Sequence, residues 1–532
     1  MTFNEQQLKA INCNDRTILC LAGAGVGKTA CLVARVIRLV REKVDPRSIL
    51  VLTFTNAAAF EMAERFKLNL PNCKQVPEFR TFHSFAYSLL VRDPEVRSAL
   101  KYIKIPDVCD DKDYKQILSE AKLQLNPKLS LEALERDPDP MWTMKQKHEY
   151  DTFHALVQKL LRSKNLVTFD MLNTSLGQLF STKDKSIQKY FDKYKHVIVD
   201  EFQDTDPVQM KFLSSFPDTT NFFLVGDALQ SIYQFRNCSN EYIKMLSNNP
   251  DWTHIKLFEN YRSTREICEF ANKMSRYADS AYRIEMHGQR NGDPVEVIYG
   301  ASADYMELVD GRHMDKLVKM LKASSEGGAV LCRTNKEVAY VKDRLKSENI
   351  KYVSRLKDNS EVLNILKASA DPQFAVSWMA SMLSASNYTY YIRKCQLSPM
   401  SLQDIIDTFS NEISMKELGR KVVSVHNTAI SDLIPLKKKF ESIIQTLDVH
   451  VPPVSENVTD STLLEYISSN IQEQVESQLY VGTIHSSKGL EYNHVYLMGV
   501  DDRSFQIDSE EMKNLYYVGL TRAKNHLTIF RR

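Results

Sequence analysis

One stretch near the start of the chain carries residue types that bind phosphate. A run of apolar residues from Thr17 leads into a glycine-rich loop that ends in Lys28 and Thr29. Glycines let successive backbone N–H groups turn towards anionic oxygens, a lysine reaches the outer phosphates, and a threonine hydroxyl at a helix start ligates Mg²⁺. The first position of the usual pattern is alanine, the smallest replacement for glycine. The sequence therefore predicts a nucleotide-phosphate site formed by Ala22, Gly23, Ala24, Gly25, Val26, Gly27, Lys28 and Thr29.

Two adjacent carboxylates follow another short apolar run, His196-Val-Ile-Val199. An acidic pair after a strand is common, but together with a phosphate-binding loop it favours phosphoryl chemistry. We expect Asp200 to hold a Mg²⁺ ion and Glu201 to orient or deprotonate the attacking water. Gln230 follows a further apolar run that begins at Asn221, and there its amide can sense the γ-phosphate.

Further polar and aromatic side chains follow predicted strands. Gln7 lies one short helix before the phosphate loop, where a carboxamide can hydrogen-bond to the edge of adenine. Phe54 and Thr55 follow one strand, His83 follows the next, and Phe235 follows a later one. Ligands collect at the carboxyl ends of parallel strands, so these residues are candidates to hold nucleic acid. Taken one at a time, each aromatic side chain is better explained by packing.

The elements that position these residues alternate between strand and helix. The phosphate loop is followed by apolar residues at helical spacing and then by the buried run Ile49-Leu-Val-Leu-Thr-Phe-Thr55, which is the start of a parallel sheet. Tyr261 and Arg262 form an aromatic–arginine pair that we place at the end of a later strand. Apolar strands recur from Val295 onwards without a second phosphate loop, which predicts a second α/β domain that shares the one nucleotide.

Composition excludes several classes of protein. A chain of 532 residues is too long for one core, and its apolar content is that of a globular protein. A net charge of only +2 requires any nucleic acid to be held in a local groove. The nine cysteines contain no C-x-x-C pair, which argues against a zinc or iron–sulfur site. Without a signal pattern or an apolar run of roughly 18 residues, we expect a cytoplasmic protein, nucleoid-associated if bacterial, with no membrane partner.

The order of the motifs resembles the UvrD/Rep/PcrA family of superfamily 1A DNA helicases. The matching segments are Gln7 and residues 22–29, 51–56, 81–83, 199–205, 225–236, 260–263, 480–491 and 515–524. The sequence Asp-Glu-Phe-Gln-Asp-Thr at 200–205 is highly specific, and the set spans both halves of the chain. The resemblance therefore depends on the whole series of motifs and not on any single one.

This resemblance implies an α/β fold with two RecA-like parallel-sheet motor domains, each with an inserted, mainly helical subdomain. Residues 1–88 and 190–255 would form the first motor domain, with a helical insertion at 89–189. Residues 256–357 and 476–532 would form the second, with a shortened helical insertion at 358–475. The last region has no motif that matches the family.

The resemblance also implies the roles of individual residues. It implies that Tyr261 stacks on the adenine and that Glu491 contacts the ribose. It assigns the γ-phosphate contacts to Gln230, Arg262 and Arg522. It assigns the DNA track to Phe54, Thr55, His83, Phe235, Thr483 and His485. With ATP and Mg²⁺ as cofactors, the implied activity is translocation on single-stranded DNA, 3′→5′, and unwinding at single-strand/double-strand junctions in replication, repair or recombination.

Two other interpretations stay open. A groove that contacts backbone and stacked bases distinguishes DNA from RNA poorly, so the protein could be a nucleic-acid-stimulated ATPase that acts on RNA or moves without unwinding. A non-catalytic DNA-binding subunit is the third interpretation. The residues that argue against it are Lys28, Thr29, Asp200, Glu201, Arg262 and Arg522, since loss of activity usually removes one of these.

Overall fold

The fold is taken from a computed structural model of the chain. It describes residues 2–73, 75–109, 111–134, 142–168, 171–172, 174, 185–232, 240–300, 311–324, 327–353, 479–501 and 505–531. Two features expected from the sequence, the second helical insertion at 358–475 and the DNA-contacting Phe235, lie outside these residues.

The described helices and strands alternate along much of the chain. The strands are β1 (Thr17–Ala22), β2 (Ile49–Thr53), β3 (Glu78–Thr81), β4 (Asp107–Val108), β5 (Leu166–Val167), β6 (His196–Val199), β7 (Asn221–Gly226), β8 (Thr253–Leu257), β9 (Glu259–Thr264), β10 (His287–Arg290), β11 (Glu296–Tyr299), β12 (Gly328–Cys332), β13 (Leu479–Thr483), β14 (Tyr492–Val500) and β15 (Ala523–Arg531). The helices are α1 (Glu5–Asn12), α2 (Lys28–Arg41), α3 (Asn56–Asn69), α4 (Phe82–Arg92), α5 (Pro94–Ala99), α6 (Asp111–Leu125), α7 (Leu131–Leu134), α8 (Met144–Ser163), α9 (Lys185–Asp192), α10 (Pro207–Leu213), α11 (Glu241–Ser247), α12 (Arg265–Met274), α13 (Gly311–Ala323), α14 (Asn335–Ser347) and α15 (Glu510–Leu520).

The first sheet is parallel and has the strand order β3-β2-β6-β7-β1-β8. In β1, Ile18 and Cys20 pack in one core while Leu19 and Leu21 pack in another. Strands that are covered on both faces need apolar residues at every position, which explains the continuous apolar runs in the sequence. Because β6, β7 and β1 are neighbours, the loops that follow them lie together at one edge of the sheet.

The helical insertion was predicted at residues 89–189, and residue 89 lies within the last turn of α4. The described part of the insertion contains α6 and α8, together with the short parallel pair β4 and β5. Asp93, just after α4, accepts a hydrogen bond of 2.5 Å from the Tyr190 hydroxyl and pairs with Lys189 at 3.2 Å. These contacts tie the segment that leaves the first domain to α9, which leads back into it.

The second sheet is also parallel and has the order β11-β15-β14-β12-β13. In β14, Val495 and Leu497 belong to the same contiguous cluster of buried side chains as Leu21 of the first sheet. Tyr496 and Met498 face a separate core beneath α13 and α14. The two-sheet α/β fold expected from the sequence is therefore confirmed.

One local expectation is wrong. Tyr261 and Arg262 lie inside β9 and not at a strand end. The strand continues past them because β9 pairs in parallel with β10, from Glu259 opposite His287 to Thr264 opposite Arg290. This two-stranded sheet follows directly on β8, which is the edge strand of the first sheet and runs to Leu257.

Candidate nucleotide and nucleic-acid site

The phosphate-binding loop connects β1 to α2. Gly25 and Gly27 have φ values of 65° and 80°, in the left-handed region that glycine adopts without strain. Gly27 directly precedes the first turn of α2, so the loop lies at the positive end of that helix. A Cβ atom at Gly25 would lie 2.5 Å from Cβ of Arg262, so the close approach of β9 also requires glycine there.

Lys28 and Thr29 are the first two residues of α2, and both are half-buried. Lys28 Nζ lies 3.4 Å from the carbonyl oxygens of Ala22 and Gly23, so the ammonium group is folded over its own loop. These contacts are long and involve neutral acceptors, whereas charged oxygens make shorter and stronger bonds to an ammonium. The lysine is therefore positioned to exchange them for phosphate oxygens.

Asp200 follows β6 and has an unsatisfied oxygen. It is 7% exposed, and Oδ1 has no hydrogen-bond partner among the residues that the structure describes. Burial, and next the neighbouring Glu201 carboxylate, raise the pKa of Asp200, while the charge of Lys28 opposes that shift. Carboxylate oxygens are the ligands that Mg²⁺ prefers, and a buried one without a partner is the atom that such a cation would satisfy.

Glu201 shows the opposite shift. Its φ of 52° is uncommon for a non-glycine residue, and its carboxylate accepts a hydrogen bond from the Gln203 amide. Burial works to raise the pKa of Glu201, but the charges of Lys28, Lys488 and Arg522 and the hydrogen bond from Gln203 together lower it. Glu201 is therefore the member of the acidic pair that stays ionised, as a base or water-orienting group must.

The turn after β7 fixes Gln230. Asp227 is buried and accepts hydrogen bonds from Leu229 N at 3.1 Å and from Gln230 Nε2 at 2.7 Å. Burial raises the pKa of Asp227. Asp227 N donates to Gln203 Oε1 at 3.0 Å, which joins this turn to the one that contains Glu201. The amide oxygen of Gln230 is left to face the second domain.

Arg522, which follows α15 in the second domain, contacts that oxygen. It is 1% exposed, and Nη2 donates to Gln230 Oε1 at 3.3 Å. Nε donates to Val518 O at 2.9 Å and Nη1 to Leu490 O at 3.3 Å, so these acceptors are neutral. Burial, and next Arg262, lower the pKa of Arg522 to about 9, which leaves the guanidinium charged at neutral pH. The site thus contains a buried positive charge that an anion would stabilise.

Arg262 and Glu491 form an ion pair beside the loop. Arg262 Nε lies 2.6 Å from Glu491 Oε2, and Nη1 donates to Thr521 O at 3.2 Å. Glu491 also pairs with Lys524 at 3.2 Å. Burial works to raise the pKa of Glu491, but Arg262 and Lys524 lower it. The structure therefore brings the predicted ribose contact and a predicted γ-phosphate contact together at the junction of the two domains.

A second link between the domains was missed by the sequence analysis. Lys488 Nζ lies 2.5 Å from Asp204 Oδ2 and 2.9 Å from Gln230 O. Burial raises the pKa of Asp204 to about 6 against the attraction of Lys488. Both residues lie within the segments that carry the family resemblance, and this position in the motifs was the available signal.

The predicted base-binding residues lie beside the same loop. Gln7 in α1 is buried, and its Nε2 donates to Val26 O at 3.0 Å. Tyr261 N donates to Gly25 O at 3.0 Å, while its side chain is 50% exposed. Asn4 was not singled out from the sequence, yet its Nδ2 donates to the Tyr261 hydroxyl at 2.7 Å. A buried amide and an exposed aromatic ring therefore adjoin the loop.

The predicted DNA contacts fall in two groups. Phe54 and Thr55 follow β2 and His83 lies in the first turn of α4, after the adjacent strand β3, so these three share one edge of the first sheet. Thr483 ends β13 and accepts a hydrogen bond from Ser486 N at 3.2 Å. His485 follows, and burial, then Arg333, lower its pKa.

The two groups are connected across the domains. His485 hydrogen-bonds to the backbone of Ile232, which directly follows the turn of Gln230 and Ser231. Phe54, His83 and Thr483 are half-buried, and Thr55 is exposed. Side chains that are packed on one side and open on the other are suited to bind bases, although Phe235 is outside the described residues.

These observations fit a nucleoside triphosphate with a divalent cation. The left-handed glycines form a cradle suited to phosphate, Asp200 offers an unsatisfied oxygen within the electrostatic reach of Lys28, and Arg522 supplies a buried positive charge. The fold and the loop together define an α/β protein with two parallel sheets, of the P-loop nucleoside-triphosphate-binding class.

Sequence comparison assigns the family. Residues 3–251 match the UvrD/REP helicase N-terminal domain, and residues 255–368 and 385–531 match the UvrD-like helicase C-terminal domain. This chain therefore belongs to the UvrD/Rep helicase family, as the order of motifs predicted.

Several relatives are similar over almost the whole chain. It is 25% identical to the ATP-dependent DNA helicase PcrA of Staphylococcus epidermidis over 610 aligned positions, which cover 99% of this chain and 83% of the relative. It is also 25% identical to PcrA of Bacillus subtilis, covering 99% and 82% of the two chains. For the ATP-dependent DNA helicase Rep of Buchnera aphidicola the identity is 24%, over 99% and 94%.

Within the described part of the chain, no helix is both long enough and apolar enough to cross a bilayer.

Proposed function

We propose that this protein is an ATP-dependent DNA helicase that translocates on single-stranded DNA and unwinds duplex DNA. The observation that carries the proposal is the contact between Arg522 of the second domain and Gln230 of the first, beside the phosphate loop. A nucleotide site that needs both domains lets binding and hydrolysis move one domain against the other. The names of the relatives support ATP and DNA as the two ligands.

The proposal assigns each group in the site a task. Thr29 and Asp200 hold Mg²⁺, which neutralises charge on the phosphates when it is bound. Glu201 orients or deprotonates the attacking water, since its pKa is held low. The residues that stabilise the developing charge on the γ-phosphate are Lys28, Gln230, Arg262 and Arg522. Tyr261 and Gln7 bind the adenine, and Glu491 binds the ribose.

The DNA track is proposed to run across both domains. Phe54, Thr55 and His83 form its part on the first domain, and Thr483 and His485 form its part on the second. Stacking contributes roughly 1–3 kcal/mol per base and tolerates any sequence. Because His485 contacts the backbone just after the Gln230 turn, a change at the γ-phosphate can reach the track through one hydrogen bond.

The test is ATP-driven strand displacement on duplexes that carry a 3′ or a 5′ single-stranded tail. We expect displacement from 3′ tails, and none with Lys28→Ala, which removes the loop's cation without touching a core. Displacement from 5′ tails alone would contradict the proposed 3′→5′ direction. ATP hydrolysis stimulated by DNA without displacement would show a translocase, and stronger stimulation by RNA would reassign the substrate.

A further inference from the structure

Asn4 fixes the side chain of Gln7 at the start of α1. Asn4 Oδ1 accepts a hydrogen bond from Gln7 N at 2.8 Å, and Asn4 N donates to Gln7 Oε1 at 3.0 Å. This reciprocal arrangement is a capping box, and it satisfies two groups at the helix start. In most helices such a contact serves the helix alone, but here the capping glutamine is also the predicted base-binding residue.

The partners of Gln7 determine which way its amide points. A backbone N–H can only donate, so the atom facing Asn4 N is the oxygen; a carbonyl can only accept, so the atom facing Val26 O is the nitrogen. Turning the amide over would place two acceptors together at Val26 and two donors together at Asn4. One lone pair on Oε1 and one hydrogen on Nε2 are left to contact a ligand.

Asn4 also holds the aromatic ring on the other side of the loop. Its Nδ2 donates to the Tyr261 hydroxyl at 2.7 Å, although the two residues are 257 positions apart. The backbone of Tyr261 is joined to Gly25 O at 3.0 Å. The ring is therefore fixed at both ends while half of its surface stays exposed.

We propose that Asn4 is the positioning residue that makes this site select adenine over guanine nucleotides. Adenine presents a donor at N6 and an acceptor at N7, which match the free acceptor and donor of the locked Gln7 amide. Guanine presents O6 in place of the N6 amino group, and this acceptor would face the amide oxygen. Selection therefore depends on the amide being unable to turn over. The backbone N–H of Asn4 prevents that turn, and the Asn4 side chain holds this N–H in place through its bonds to Gln7 N and to the Tyr261 hydroxyl. The inference rests on the proposed function, because it concerns the same ATP site.

The experiment measures dissociation constants for ATP and GTP by competition against a fluorescent ATP analogue. A bidentate contact of this kind discriminates between the right and the wrong base by roughly 5-fold to 100-fold. We therefore expect Asn4→Ala to reduce the ratio of the GTP to the ATP dissociation constant on the order of tenfold. Asn4→Asp keeps the cap oxygen and can accept from the Tyr261 hydroxyl, so it should retain the preference. Asn4→Ser keeps a cap but cannot reach Tyr261, and it should lose part of the preference while folding normally.

Thr143→Ala is the matched control. Thr143 and Gln146 form the same capping box at the start of α8, in the helical insertion, so this variant loses an equivalent helix cap away from the nucleotide. We expect its ATP and GTP constants to equal those of the wild type. A change of preference in Thr143→Ala similar to that in Asn4→Ala would show a general effect of helix stability and overturn the proposal.

Two further results would overturn it. One is wild-type protein that binds ATP and GTP equally; the other is Asn4→Ala and Asn4→Ser proteins that keep the full preference. Both results are compatible with the proposed helicase function, because ATP would still bind and be hydrolysed. Wild-type protein that binds neither nucleotide would refute the proposed function itself, and with it this inference.

Discussion

Replacing Gly25 with alanine would separate the phosphate-binding loop from β9. The new Cβ would lie 2.5 Å from Arg262 Cβ and 3.1 Å from the side-chain amide of Asn260. Carbon atoms in contact are about 3.5–4.0 Å apart, so the two segments must move apart by about 1 Å. Two hydrogen bonds join them here, from Tyr261 N to Gly25 O at 3.0 Å and from Asn260 Nδ2 to Ala24 O at 2.7 Å. Both would be stretched beyond hydrogen-bond distance.

The energetic effect has two parts. A non-glycine residue at a φ of 65° is destabilised by about 1–2 kcal/mol. Losing the two hydrogen bonds adds roughly 0.5–1.5 kcal/mol for each. If Arg262 has to stay against the loop for catalysis, the sum of about 2–5 kcal/mol raises the barrier and lowers kcat/KM for ATP by at least about 30-fold.

Steady-state ATP hydrolysis with saturating single-stranded DNA measures this effect, and Gly489→Ala is the control. Gly489 has a φ of 87°, and a Cβ there would meet no atom within 4 Å, so the variant carries the backbone strain without the collision. The strain of about 1–2 kcal/mol alone corresponds to roughly 5-fold to 30-fold, so we expect it to lower kcat/KM by no more than about 30-fold. A Gly25→Ala protein that is no slower than Gly489→Ala would refute the close fit of loop and strand.

Three other predictions follow from the site. Glu201→Gln should bind ATP with Mg²⁺ as the wild type does, because Asp200 remains, but should hydrolyse it at least about 100-fold more slowly; equilibrium binding and single-turnover hydrolysis on one preparation check this. Burial raises the pKa of Asp204 to about 6, above the value of 3.8 in the unfolded chain, so the folded protein favours the protonated carboxyl. The contribution of Asp204 to the stability of the fold is therefore complete below pH 3.8 and is lost as the pH rises through about 6. The stability of Asp204→Asn relative to wild type should therefore increase by up to about 3 kcal/mol between pH 4 and pH 7, which paired thermal melts across that range would show. Phe54→Ala should weaken single-stranded DNA binding by about 1–3 kcal/mol without changing ATP affinity; a lower melting temperature with unchanged DNA affinity would show a packing role instead.

Much of the site could be predicted because its parts are local. The phosphate loop is a continuous segment between a strand and a helix, and Asp200 and Gln230 follow apolar runs that are readable as strands. Parallel strands end at the same edge of a sheet, so these segments were expected to meet, and β6, β7 and β1 are neighbours. The family and the two-sheet fold followed from the order of motifs and are confirmed.

Contacts between distant segments could not be derived in this way. Lys488 and Asp204 are 284 positions apart and have common residue types, so only their proximity in the fold identifies them as a pair. The contact of Arg522 with Gln230 spans 292 positions and was expected from family resemblance alone. Tyr261 and Arg262 were placed at a strand end because the pairing of β9 with β10 has no clear signal in the sequence. The capping box of Asn4 was readable locally, but its second contact, with Tyr261, was not.

The central claim is that one ATP site is completed by both domains, and Arg522 tests it most directly. The measurement is single-stranded DNA affinity in the presence of a non-hydrolysable ATP analogue and in the presence of ADP, for wild type, Arg522→Ala and Arg522→Lys, together with ATP turnover. We expect Arg522→Ala to keep most of its ATP affinity, to lose on the order of 10³–10⁵ in turnover, and to lose the difference in DNA affinity between the two nucleotide states. Lysine keeps the charge without the planar fork, so Arg522→Lys should be less severe but not normal. Normal turnover in Arg522→Ala, with the wild-type difference in DNA affinity, would contradict the claim.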